Sequence, residues 1–284
     1  HLPGPYTDMA FVARVENAAV VTATTVAVDL VSWQSYDQVQ IGSVRQGEPL
    51  PVQIERPGVI IARSGYLSTA SATTQGIRAT TFVEQASNAQ RSYKSGSAAD
   101  AAAGTGARTV LLTYYDSSMN GPKYETTTLN GTTAVNTVAT DICFVESIVV
   151  LTTGSGTSNA GIITLFAAAA AAGGAINTVA VGDNQTFYCH HYVGVGRVFY
   201  LTNVKFSGNK GVAFNGTVKY RKLPVPAPSL ALPLTADVNT NSTVSFESAL
   251  PLAIYGPAIV ESLVTLSAAT ATVVNAALFG YGLP

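Results

Sequence analysis

The feature that most constrains this fold is one continuous stretch, Ala107 to Arg221, in which short β-rich runs alternate with turn residues. Runs of β-branched and aromatic residues recur at roughly 10 to 12 residues, set off by Asn-Gly and Gly-Thr. That rhythm suits antiparallel sheets and leaves little room for helices. It predicts strands at Arg108–Tyr115, Tyr124–Leu129, Thr132–Val138, Ile142–Thr152, Gly161–Phe166, Phe187–Tyr192, Arg197–Phe206 and Val212–Tyr220. Asn130-Gly131 lies between two such runs and predicts a type I′ hairpin, whose central residues both need positive φ. The run Ala167–Ala172, closed by Gly173-Gly174, reads equally as a close-packed strand edge or loop and as a helical turn.

The flanks extend the pattern. Phe11–Val15, Val20–Val31, Gln38–Val44, Val52–Glu55 and Val59–Arg63 read as strands, with Trp33 as the anchor of their core. Residues 86–106 are small, polar and almost free of aromatics, the composition of a linker or long surface loop. Pro224, Pro226, Pro228 and Pro233 make an extended connector that cannot be a central strand. Thr243–Phe246, Ala258–Leu266 and Ala271–Phe279 then read as strands, either a small third element or strands completing a sheet in this or another subunit. The class is therefore all-β: antiparallel β-sandwich or jelly-roll-like domains with a proline-rich connector and a β-rich tail. The expected division is 1–85, an N-terminal β domain; 86–106, the linker; 107–222, a central β-sandwich; and 223–284, the connector and tail.

Charge sharpens the reading. Charged residues make up 11% of the 284, against roughly 25% in ordinary soluble domains. Residues 223–284 carry only Asp237, Glu247 and Glu261. A chain that does not cover its surface with charge is expected to cover it with other subunits. A net charge of −1 argues against nucleic acid as a partner. The uncharged stretches Ser147–Gly182 and Ser262–Pro284 are too broken by Ser, Thr, Asn and Gly for a spanning helix, so no membrane partner is expected. The chain opens on His1 rather than Met and shows no secretory signal; the expectation is a start that is processed, trimmed or internal to a longer chain. Two cysteines, Cys143 and Cys189, are read as unpaired buried thiols, with one bridge as the alternative.

Reaction chemistry is sparse. Cys189-His190-His191 is the one cluster of metal-type residues, but neighbours on a strand face opposite ways, so one ring is expected inside and one outside. Asp141 with Glu146, and Asp116 with Glu125, are the carboxylate pairs to test for glycoside hydrolysis. There is no G-x-S-x-G elbow and no P-loop, since Gly211 follows Lys210, and Gly194-Val195-Gly196 precedes no helix. Asn130, Asn184, Asn215 and Asn241 begin Asn-x-Ser/Thr sequons, glycan acceptors in a secreted eukaryotic protein; three of them also suit turns, and a turn role is sufficient. Tyr114, Tyr115, Tyr124, Tyr188 and Tyr192 are read as half-buried strand positions, with sugar or protein contact as the alternative. No catalytic, cofactor-binding or metal-ligating residue is assigned, and no cofactor.

The phrases ARTVLLTYYD, ETTTLNGTTAVNT, GSGTSNAGIITLF and VAVGDNQTFYCHHYVGVGRVFYLTNVKFSGNKG carry a resemblance. Over Ala107 to Arg221 the chain resembles a β-rich module of virion structural proteins of tailed bacteriophages. Val193-Gly194-Val195-Gly196 stands where the family commonly has a Pro-Ala-Gly turn, a departure that alters the turn and not the strand order. The resemblance implies a virion structural protein and carries over no catalytic residues; low charge, β-rich modules and the proline connector fit a non-enzymatic head-associated one: a decoration, cement, vertex or minor capsid subunit. It would act through homo-oligomers, a trimer among them, and through contacts with the major capsid or other virion proteins. The alternative is a tail-fibre or tail-tip adhesin binding a host glycan; a glycan depolymerase is the third reading. In the leading reading one domain docks on the lattice, and the connector and tail reach a partner subunit by strand addition.

Overall fold

The computed structural model describes residues 28–31, 36–41, 52–54, 59–208, 213–223, 230–238 and 243–283. Trp33, Asn241 and the strands expected before residue 28 lie outside the described residues. The chain divides into two compact units, His1–Pro57 and Gly58–Pro284. In the first, β1 (Val28–Val31), β2 (Tyr36–Ile41) and β3 (Val52–Ile54) form a three-stranded antiparallel sheet.

The second unit opens with β4 (Val59–Thr69) and β5 (Gln75–Gly76). Then come β6 (Ser92–Ser95), β7 (Ala107–Tyr115), β8 (Lys123–Thr128), β9 (Val135–Asn136), β10 (Phe144–Thr153), β11 (Ile163–Phe166) and β12 (Ala175–Val179). These make two facing antiparallel sheets, ordered β10-β7-β8 and β12-β11-β6-β9. Alternate residues of each turn inward: Val110, Leu112 and Ile148 from one sheet meet Tyr93, Ile163, Leu165 and Ile176 from the other.

A second sandwich uses β13 (His190–Val193), β14 (Val198–Gly208), β15 (Phe214–Lys222), β16 (Leu230–Val238), β17 (Thr243–Tyr255), β18 (Ala258–Leu266) and β19 (Thr272–Leu283). One sheet runs β13-β18-β15-β16, with β5 also pairing β18; the other runs β17-β14-β19-β4. Phe199, Leu201, Val204 and Phe206 of β14 pack on Val218, Val260 and Val264 of the opposite sheet. All these pairings are antiparallel, so the all-β sandwich class holds.

The expected boundaries at 86, 106 and 222 need correcting. Residues 86–106 are not a linker: they contain β6, and Tyr93 is fully buried. Asp100 is also fully buried. Its carboxylate accepts hydrogen bonds from the Ala107, Ala160 and Gly161 amides at 2.7, 2.8 and 2.8 Å and from the Ser95 hydroxyl at 2.6 Å, fixing a compact loop. Residues 107–222 are not one module either, because β13, β14 and β15 belong to the second sandwich. The physical reason is edge pairing: β14 is an interior strand, and β17 and β19 from the tail satisfy its two edges. The tail therefore completes sheets of this chain, and its lack of charge reflects core duty in Val260, Val264, Val274 and Leu278.

Pro233 does lie in a strand, β16, but at the sheet's edge and where the register slips between Thr217 and Lys219. That is the position a residue without an N–H tolerates. The Asn130-Gly131 hairpin does not form. Only Gly131 has positive φ (59°), and β9 pairs with β6 rather than with β8. The alanine run gives a 3-10 turn at Ala169–Ala171.

Candidate functional site

Buried polar side chains need a partner or a purpose. Glu146 on β10 is 2% exposed and joins the two sandwiches. Its Oε1 accepts from Arg63 Nε of β4 at 2.7 Å and from His191 Nδ1 of β13 at 2.8 Å. Its Oε2 accepts from the Tyr192 amide at 2.8 Å. Burial alone would raise the Glu146 pKa, but His191 and Arg63 outweigh it and hold the carboxyl well below the usual range. Around this pair a third apolar cluster, Tyr115, Met119, Cys143, Phe144, Tyr192, Leu223 and Ile259, seals the joint.

His190 and His191 do face opposite ways, but neither is outside: they are 1% and 6% exposed. His190 stands among Tyr188, Phe82 and Tyr192, with ring centroids 5.5, 4.8 and 5.2 Å away. Burial lowers its pKa to about 3, so the ring is neutral. Both faces are covered because β13 lies between the joint and the second core. Cys189 is buried, 3.3 Å from the Ser262 hydroxyl, and shares no ligand set with His191. Among the described residues no group of three or more His, Cys, Asp or Glu is placed to hold a metal. Cys143 and Cys189 are free, with burial pushing their pKa values up to about 11 and about 12.

The carboxylates are brought together in other pairs than the sequence suggested. Asp116 and Asp141 share Lys123, whose Nζ lies 2.8 Å from Asp116 Oδ2 and 2.6 Å from Asp141 Oδ2. Hydrogen bonds to Asp116 and then Asp141 raise the Lys123 pKa, and the Lys123 bond lowers that of Asp141. Glu125 instead accepts the Val138 and Ala139 amides at 2.7 and 2.9 Å. Each acid is thus committed to a cation or to backbone N–H groups. Asn184, at φ 58°, closes a turn through Asn159 and Thr157. Of the five singled-out tyrosines, Tyr114, Tyr115, Tyr188 and Tyr192 are buried rather than half-buried, and Tyr124 is 65% exposed.

The outward face of sheet β17-β14-β19-β4 was missed. Cross-strand register places Ala253, Tyr200, Tyr281 and Ile60 in one row and Tyr255, Val198 and Leu283 in the next. Phe199 and Leu201 point into the core, so Val198 and Tyr200 point out. Tyr200 and Tyr281 stack at 4.9 Å with ring planes 13° apart, while Ile60 and Tyr255 are 66% and 61% exposed. Neither row holds a formal charge. The available signal was aromatic residues at successive positions of one strand, Phe199-Tyr200, which places a ring on each face.

No family model and no curated protein matches the chain. Among solved structures it is similar to a chain in the structure of infectious bursal disease virus, Gx strain: 7% identity, 80% of each chain covered, TM-score 0.18. A chain in the T13 particle of the same virus gives 8% identity over 79% of this chain and 73% of that one, with TM-score 0.17. Superpositions this loose carry no argument about fold or function.

Proposed function

We propose that the chain is a non-enzymatic structural protein of a phage particle, head-associated as a decoration, cement, vertex or minor capsid subunit. The observation that carries this is the uncharged aromatic face formed by Ile60, Tyr281, Tyr200, Tyr255, Val198 and Leu283. Its occupant is a second copy of this chain. A face without charge meets its own copy without like-charge repulsion, and tyrosines supply large contact area at low side-chain entropy cost. The phage-module resemblance over Ala107–Arg221 supports the particle setting, and the engagement of Asp116, Asp141, Glu125 and Glu146 by cations or backbone N–H groups supports contact rather than catalysis.

Sedimentation velocity tests the self-contact. The account predicts a species heavier than the 29.3 kDa chain at micromolar concentration. Ile60→Lys with Tyr255→Lys, both at exposed positions, should return it to 29.3 kDa with an unchanged melting temperature. A wild-type chain that stays monomeric at every concentration would contradict the self-contact.

A further inference from the structure

Farther along the same sheet face the character changes. Register aligns Ser64, Ala277 and Lys205 in one row and Tyr66, Asn275 and Ser207 in the next. The middle strand, β19, supplies only Ala277 and Asn275 here, between the longer Lys205 and Tyr66, and the face sinks into a trough of about 290 Å³. Lys205 forms one wall. Tyr66 and Phe187 form the other, their ring centroids 5.7 Å apart and their planes tilted 46°. Gly65 makes this wall possible: a Cβ there would come within 2.7 Å of Cys189 N and 2.8 Å of Phe187 O. Without a side chain at 65, residues 187–189 run close against β4 and set Phe187 beside Tyr66. The Tyr66 hydroxyl bonds Asp183 at 3.2 Å, which fixes the ring.

Three polar side chains of the trough are uncommitted. Among the described residues, no hydrogen bond within the chain engages the side chains of Ser64, Ser207 or Asn275. Lys205 forms no ion pair there; its Nζ lies 5.7 Å from the Phe279 centroid. Two aromatic rings, the two serine hydroxyls, one amide and one ammonium thus border a space of about 290 Å³.

We infer that this trough binds a carboxylated pyranose. The apolar C–H face of such a ring stacks on Tyr66 and Phe187. Its hydroxyls exchange hydrogen bonds with Ser64, Ser207 and Asn275. Its carboxylate meets Lys205, a charge-assisted contact that a neutral sugar lacks. This site goes beyond a purely structural role and does not depend on it.

An NMR titration of the full chain with methyl β-D-glucuronide, and separately with methyl β-D-glucoside, tests the assignment. The glucuronide should bind saturably in the millimolar range, at least fivefold tighter than the glucoside. Lys205→Ala, at an exposed position, should bring the two sugars level, and Tyr66→Ala should weaken both at least fivefold. Absence of saturable glucuronide binding would overturn the assignment. So would equal binding of the two sugars by the wild-type chain, or glucuronide binding unchanged by Lys205→Ala.

Discussion

Glu146 and His190 show how burial sets the behaviour of single residues at the joint. His190 is held neutral, with its pKa down at about 3, against about 6.5 in an unfolded chain. Between those values the unfolded state binds a proton that the native state refuses. Stability therefore falls as pH drops from about 6.5, by up to about 1.4 kcal/mol per pH unit. Glu146, whose pKa is depressed in the fold, acts in the same direction only below its unfolded value of about 4.3. Urea midpoints measured from pH 7.5 to 4.5 should decline below pH 6.5, and His190→Phe should flatten that limb. A wild-type midpoint constant from pH 7 to 5 would remove His190 from the account. The sequence showed that the two histidines diverge; it did not show that both would be buried, because that depends on the first sandwich packing, through β10, against β13 at the edge of the second.

Most strands were legible, since period-two alternation and turn residues are local signals: Ala258–Leu266 appears as read, and β7, β10, β14 and β15 differ by a residue or two at their ends. Pairing was less legible. Asn130-Gly131 reads as a hairpin locally, yet the chain crosses to pair β9 with β6, which no two-residue signal encodes. The loop around Asp100 was hidden for another reason. Small polar residues look like a linker until one carboxylate gathers their N–H groups. Asp100→Ala would leave the Ala107, Ala160 and Gly161 amides and the Ser95 hydroxyl without that acceptor. It should cost about 3 kcal/mol or more, because unsatisfied buried donors carry the full desolvation penalty. Chemical denaturation measures this directly, and a loss under about 1 kcal/mol would mean the loop does not depend on Asp100.

For the chain as a whole, low charge has two sources that composition alone could not separate. Part is internal: the tail strands complete the second sandwich, and Ile254, Val260, Val264, Val274 and Leu278 face a core of this chain. Part is external: the Tyr200–Tyr281 face, the surface that the proposed self-contact would use, is uncharged, and Tyr124 and Val138 are 65% and 87% exposed. The aromatic face was illegible because it takes four strands, β17, β14, β19 and β4, drawn from both ends of the second unit. The most direct test of the structural-protein account is mass-spectrometric quantification of this chain in gradient-purified phage particles, relative to the major capsid protein. The account predicts many copies per particle at a fixed ratio, retained through the gradient. Purified, infectious particles with less than one copy each, and the chain left in the soluble fraction, would contradict it.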